Sequence, residues 1–298
     1  MPDEKIVTYS KRGYLNRDFE LFHIKDNKNL SFEFHYHDFN KIIVFISGKV
    51  TYLIEGKAYR LKPWDVLVVG SNEIHKPIIE PGEPYERIVI YINSDFLEKH
   101  SSPDCNLATC FDPTDDERFN LIRYEPSELI TIRTILSHLE DACRSNEFGS
   151  RILKNSLFMQ FIVHLNRRFL NARESLETSD IEFDESISDI LSYINENLDK
   201  DLSIESISSR FFISKYYLMH KFKKQTGYSV HNYILQKRLI AAGELIRKGM
   251  PTMEASIECG FKDYSSFVRA FKKMFGNSPK KYHLNLLEEQ KRNGKKHF

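Results

Sequence analysis

Hydrophobic and polar positions alternate with period two from Ser31 through Phe32, Glu33, Phe34, His35 and Tyr36 to His37, the spacing of a half-buried strand. Apolar, β-branched runs follow at Ile42–Ile46, Val50–Ile54, Val66–Val69 and Ile88–Ile92. Gly48, Gly56, Lys62-Pro63 and Pro81-Gly82 mark turns between them. Short strands at this interval over residues 19–92 predict a sandwich or closed barrel. Beyond Asn93 the pattern gives way to an irregular stretch holding Ser101-Ser102-Pro103-Asp104 and Asp112-Pro113-Thr114-Asp115-Asp116.

The period then becomes helical. Leu129, Ile132, Ile135, Leu136 and Leu139 share one face of a helix predicted from Ser127 to about Arg144. Leu153, Leu157, Phe158, Phe161, Ile162 and Leu165 stripe a second, from Ser150 to about Phe169. Joined at 146–149, the two form a helical hairpin. Its stripe is broad enough to pack on the strands and to meet a second copy, so a dimer through Ser127–Phe169 is expected beside the alternative of internal packing only. Asn171–Phe183 is polar, acidic and aperiodic, and reads as a linker.

From Ile187 the chain is helical and repeats itself. Phe222-Lys223-Lys224-Gln225-Thr226-Gly227 recurs 49 residues later as Phe271-Lys272-Lys273-Met274-Phe275-Gly276. Each copy reads as a short helix, a tight turn and a longer helix ended by glycine. In the first, Ser203 caps Ile204–Arg210, Phe211-Phe212-Ile213 turns, and Ser214 caps Lys215–Thr226. In the second, Thr252 caps a helix ending near Cys259, Gly260-Phe261 turns, and Asp263 caps Tyr264–Phe275. Leu218 and Phe222, like Phe267 and Phe271, lie at i and i+4 and point inward. Lys215, Tyr216, His220 and Lys224 then face outward in one copy, and Tyr264, Ser265, Arg269 and Lys272 in the other, as major-groove reading requires. Ser229–Lys248 reads as one connecting helix of about 30 Å, close to the ~34 Å between successive major grooves on one face of DNA.

Charge supports that division. The 298 residues carry 43 Lys and Arg against 42 Asp and Glu, a net +1. From Asp184 onward, however, 20 basic residues face 13 acidic ones, and from Arg210 onward 19 face 6. A basic half joined to an acidic half implies one module for a polyanion and another for something else. With 41% hydrophobic and 29% charged residues the chain reads as globular, and no apolar run reaches the about 18 residues of a membrane span. The charged N-terminus lacks a secretory apolar segment. Four cysteines without a CxxC pair fit a reducing cytoplasm.

In the acidic half, His35-x-His37, Lys41, Gly48, Pro63-Trp64-Asp65 and His75 resemble the two motifs of the cupin barrel. In metal-binding cupins two histidines, a glutamate and a third histidine converge on one cation. The resemblance matches the histidines to His35, His37 and His75 but puts Lys41 at the glutamate and Trp64 at a usual glycine. An ammonium beside imidazoles repels a divalent cation and removes an anionic ligand, so no metal or other cofactor is expected. Three readings stay open: a structural cluster; a pocket in which His35, His37, Lys41 and His75 hold a small polar or anionic effector; and a metal site.

The basic half carries Arg238-Leu239, Ala242, Leu245-Ile246, Gly260-Phe261, Phe267-x-Arg269-x-Phe271-Lys272-Lys273, Gly276, Ser278-Pro279 and Tyr282. These resemble the signature of the AraC/XylS family of transcriptional regulators over about residues 186–285. The resemblance implies a cupin-like β-barrel with a helical hairpin (1–172), a linker (173–183), and an all-α domain of seven helices with two helix-turn-helix motifs (184–298). It assigns base contacts to Tyr216 and His220 in the first motif, and to Tyr264, Ser265 and Arg269 in the second. Arginine's fork pairs with O6 and N7 of guanine, so Arg269 is the guanine reader, or else a phosphate contact. Lys215, Lys224, Lys272 and Lys273 are expected on phosphates. Ser208 and Ser256 replace the family's usual alanine, Phe212 a smaller turn residue and His283 an arginine.

The implied function is a cytoplasmic, dimeric regulator of promoter DNA, an activator in contact with RNA polymerase. A small effector controls it, by resemblance a sugar or sugar derivative. The competing classes are a metal-dependent cupin enzyme fused to a DNA-binding domain, a regulator without effector, and an architectural or RNA-binding protein. No Ser-His-Asp order, P-loop, GxGxxG or paired-carboxylate motif supports catalysis.

Overall fold

The computed structural model describes residues 15, 17–26, 32–112, 119–172 and 178–294. Ser31 of the predicted alternation, 113–116 of the irregular stretch and 173–177 of the predicted linker lie outside them. The chain forms two compact units, Arg12–Glu182 and one containing Phe183–Phe298.

The N-terminal unit runs β1 (Phe19–Asp26), β2 (Asn40–Ser47), β3 (Val50–Ile54), β4 (Lys57–Arg60), β5 (Val66–Val69), β6 (His75–Ile79), β7 (Tyr85–Ile92), α1 (Ser94–His100), β8 (Leu121–Ile122), α2 (Pro126–Arg144), α3 (Ser150–Ala172) and β9 (Ile181–Glu182). The strands build two antiparallel sheets, ordered β1-β7-β2-β5-β8 and β6-β3-β4-β9. This is the open, two-sheet form of the expected architecture: no closed barrel forms among the described residues.

Side-chain alternation divides the core in two. Ile42, Val44, Ile88, Ile90 and Ile92 pack with Phe19 on Ile132, Leu136, Leu139, Phe158, Phe161 and Leu165 of the helices. Ile43, Phe45, Leu67, Val69 and Tyr85 meet Val50, Tyr52, Ile54 and Tyr59 of the second sheet. Strands β2 and β5 are therefore covered on both faces, which is why they read as continuous apolar runs. At about 1.5–3 kcal/mol for each large side chain removed from water, this double burial is the unit's main stabilisation.

Four features differ from expectation. Residues 32–37 form no strand; within them His35 bridges to His75 through two hydrogen bonds of 3.1 and 2.9 Å. The stretch after Asn93 begins with helix α1, capped by the Asn93 side chain on the amide of Asp95. Helix α2 starts at Pro126, within a capping box formed by Glu125 and Glu128. Residues 178–182 of the predicted linker lie on the N-terminal unit. Strand β9 pairs with β4, and Arg123 holds Asp65 at 2.7 and 2.8 Å and Asp180 at 2.9 Å.

The other unit holds seven helices among its described residues: α4 (Glu185–Glu196), α5 (Ile204–Arg210), α6 (Lys215–Thr226), α7 (Val230–Arg247), α8 (Thr252–Glu258), α9 (Tyr264–Phe275) and α10 (Pro279–Gly294). Ser203, Ser214, Ser229 and Asp263 accept from the amides of Ser206, Tyr217, Asn232 and Ser266. Such caps are worth about 1 kcal/mol each. Gly227 and Gly276 end α6 and α9 at φ of 78° and 75°. Thr252 is not the cap expected of it: it lies inside α8, behind Pro251, and its hydroxyl meets Tyr264 Oη at 2.9 Å.

The repeat is not uniform. Ile213 donates to Ser208 O and Phe261 to Ser256 O, both at 3.0 Å, an offset of 48 residues. The caps Ser214 and Asp263 are 49 apart, so the second turn is one residue longer. The first turn takes its left-handed residue from Phe212 (φ 53°), the second from Gly260 (φ 75°).

Candidate functional site

Helices α6 and α9 each bury one stripe, Leu218 and Phe222 in one, Phe267 and Phe271 in the other. The helical period then turns the intervening positions to solvent. Lys215, Tyr216, His220 and Lys224 are all exposed on α6. Tyr216, 76% exposed, stacks on His220 with ring centres 5.9 Å apart. Lys215 is paired with Glu205 of α5. On α9, Ser265, Arg269 and Lys272 are exposed, and Arg269 donates to Ser266 Oγ at 2.9 Å. Tyr264 is half-buried, its ring against Phe267 and its hydroxyl on Thr252, so it braces α9 within the unit.

Sequence reasoning passed over Met219 and Ser266, which stand exposed on the same faces. Met219 is apolar and one residue from the inward stripe, which disguised it as core.

The two helices belong to one rigid arrangement. The α7 residues Leu239, Ala242 and Ile246 pack on Ala255, Phe267 and Phe271, while Tyr233 of α7 meets Phe222 of α6 at 5.4 Å. Eighteen residues of helix at about 1.5 Å each give a rod of about 27 Å.

In the N-terminal unit, the inner face of β7 carries Tyr85, Arg87 and Tyr91, and that of β2 carries Lys41 and Ile43. With Tyr52, Pro77, His35 and His37 they line a cavity of about 160 Å³. His75 lies behind Lys41. His35 and His75 donate from Nδ1 to the carbonyls of Glu33 and Glu73 at 2.8 and 2.9 Å, which fixes both tautomers and leaves Nε2 as the acceptor. Lys41 Nζ lies 3.5 Å from His75 Nε2 and 3.5 Å from Tyr52 Oη. Burial, and then the Lys41 charge, hold His75 well below the ordinary imidazole range, so it is neutral.

The structure thus brings together all four predicted residues: His35, His37, Lys41 and His75 are buried. The ligand atoms of the three histidines lie within 4.8 Å of one another, close enough for one cation. The Lys41 ammonium, however, faces the very lone pair on His75 that a metal would take. The donor set therefore suits hydrogen bonding to an organic molecule better than coordination of a divalent ion.

Arg87 is the residue missed in the sequence. It is buried, salt-bridged to Asp26 at 2.6 Å, and stacked 4.0 Å from the Tyr85 ring centre. The signal was an arginine in phase with Tyr85, Val89 and Tyr91, on the face of β7 opposite its isoleucines.

Comparison with known proteins finds one family match within each unit. Residues 20–162 match the family described as AraC-like ligand binding domain, and residues 207–285 a helix-turn-helix domain. The transcriptional activator RhaR of Pectobacterium carotovorum is 25% identical, covering 86% of this chain and 87% of its own. The activator RhaS of Escherichia fergusonii is 23% identical over 84% and 87%. Among solved structures, the C-terminal domain of AraT from Geobacillus stearothermophilus is 27% identical over 34% of this chain and 86% of its own, with a TM-score of 0.33. ToxT of Vibrio cholerae is 15% identical over 91% and 98%, with a TM-score of 0.38. No helix among the described residues is long and apolar enough to cross a membrane. With both modules matched in order, the chain belongs to the AraC/XylS family of transcriptional regulators and is a DNA-binding regulator, not an enzyme.

Proposed function

We propose that this chain activates transcription in the cytoplasm by seating α6 and α9 on promoter DNA while its N-terminal cavity holds a small effector. The observation that carries the reading is the pair of capped helices with outward basic, aromatic and hydroxyl groups, both packed on the single rod α7. Tyr216, His220, Ser265 and Arg269 read base edges, Tyr264 braces α9 behind them, and Lys215, Lys224, Lys272 and Lys273 hold phosphates. Effector binding changes which arrangement of two DNA-binding units is favoured, and so which half-sites they occupy together. Activation, and with it contact with RNA polymerase, follows the activators this chain resembles.

The regulator acts as a homodimer. Phe161, the centre of the stripe expected to meet a second copy, is fully buried against the sheet. The apolar groups left in solvent at this end of the hairpin are Phe148, Ile152 and Leu153, and they form the face offered to the partner.

Selection of DNA from a random pool with the full chain tests the reading. A recovered motif of two blocks about one helical turn apart is the expected result. Recovery of no motif, with binding that disappears steeply as salt rises, would leave only phosphate contacts and overturn it.

A further inference from the structure

Met219 is the exposed residue of α6 to which the roles above give no part. It follows the fully buried Leu218 in the chain, yet its own side chain is 45% exposed. One turn before it on the helix stand Lys215 and Tyr216, beside it His220, and one turn after it Lys223, all of them exposed. The Tyr216 and His220 rings lie nearly parallel, 14° apart in plane. An apolar thioether chain is thus set among cationic and aromatic groups on the outward side of α6. The second motif has no equivalent. The matching position, 49 residues on, is Val268, which packs partly buried against the cluster of Phe267 and Phe271. The exposed side chains around it, Ser265, Ser266, Arg269 and Lys272, all end in polar groups.

When Lys215, Tyr216 and His220 meet phosphates and base edges, Met219 between them is closed off from water as well. Against a base edge that presents donors or acceptors, the thioether chain would strip them of water and offer almost nothing in return, at a net cost. The major groove presents one apolar group that matches it, the 5-methyl of thymine. Methionine is flexible and polarisable, and adapts its shape to such a group. We infer that Met219 reads the 5-methyl group of a thymine, with the Tyr216 ring extending the same apolar strip. The inference rests on the base-reading proposal above and deepens it. The two blocks of the site then differ in chemistry: a thymine recognised by its methyl under α6, and a guanine recognised by its hydrogen-bonding edge under α9.

The test uses the full chain and the DNA site recovered by selection, with deoxyuridine placed at each thymine in turn. Deoxyuridine keeps every hydrogen-bonding group of thymidine and lacks only the methyl, so the exchange isolates one apolar contact. Binding about fourfold weaker at one thymine, the worth of one buried methyl group, is the expected result. Met219→Ala should remove the penalty at that thymine, and Met219→Leu should keep one. An unchanged thermal midpoint and unchanged affinity for scrambled DNA establish that Met219→Ala is folded. Should it not fold, Met219→Gln takes its place, with the same expectation. Equal binding of the parent chain to thymine and deoxyuridine at every position would overturn the inference and leave base reading standing. A penalty that persists undiminished in the Met219 variant would overturn it likewise and move the methyl contact to another residue. A selection that recovers no motif would overturn base reading and this inference with it.

Discussion

Arg238 and Gly260 are in direct apposition across the DNA-binding unit. The Arg238 guanidinium donates to the carbonyls of Leu198 at 2.8 Å and Lys200 at 2.7 Å. A Cβ added at Gly260 would come within 2.8 Å of the Arg238 guanidinium and 2.4 Å of Leu198 O. One side chain from the middle of α7 thus ties the loop before the first motif to the turn of the second, and only glycine leaves room for it. Gly260→Ala adds left-handed strain, about 1–2 kcal/mol, to a clash with backbone. A loss of at least about 2 kcal/mol is expected, read from the urea midpoint; an unchanged midpoint would mean that the turn relaxes.

Phe212 is the opposite case. It holds a left-handed φ of 53° with its ring 95% exposed. Relief of that strain exceeds the entropy that glycine adds to the unfolded chain, so Phe212→Gly should stabilise by about 0.5–1 kcal/mol. Thermal unfolding of the two proteins side by side decides it.

The neutral His75 gives the N-terminal unit a pH dependence. Its folded pKa lies well below the ordinary imidazole value of about 6.5, so at low pH the unfolded chain binds a proton that the folded chain refuses. This contribution is fully present above about pH 6.5 and is lost as pH falls below it, by up to about 1.4 kcal/mol per unit. Urea midpoints at pH 7.5, 6.0 and 5.0 should fall less steeply for His75→Asn than for the parent chain.

The roles proposed for Arg269 and Lys272, base reading and phosphate holding, can be separated. Arg269→Ala should cost about 1–3 kcal/mol on the selected site and relax preference at one base pair. Lys272→Ala should weaken all sequences equally and reduce the slope of log K against log salt by about one. Equal losses on specific and scrambled DNA for both variants would place Arg269 on a phosphate.

For the proposed dimer, Ile152→Glu and Leu153→Glu should yield folded monomers in sedimentation. Phe161→Ala, whose side chain is in the core, should instead lower stability by about 3–5 kcal/mol. Dimers persisting in both glutamate variants would move the interface elsewhere.

The helical half was legible because its rules are local. Caps, glycine stops and the i, i+4 stripe placed α6, α7 and α9 almost to the residue, and the repeat tied them together. Thr252 was misread because Pro251 ends the preceding chain equally well, and a hydroxyl that can cap can also reach Tyr264. The sheet half was legible only as strands. Closure of a barrel is decided by pairing between distant segments, and nothing local said that 32–37 would bridge rather than form a strand. The histidine cluster was found from its motif, but Arg87 comes to it by strand register, which a single sequence does not display. Phe161 and Ile152 look alike in a stripe; only the packed helix pair shows which faces the sheet.

The two turns of unequal length have a consequence for the DNA itself. Because the second motif carries one more residue before its reading helix, the motifs are not interchangeable, and their outward residues differ: tyrosine and histidine in one, serine and arginine in the other. With both helices reading bases as proposed, a single protomer recognises a word with a beginning and an end. Its site has polarity along the duplex, and reversing that site turns the molecule end for end relative to the gene. On that proposal, orientation becomes part of what the promoter encodes, set by unlike reading faces and turns of unequal length.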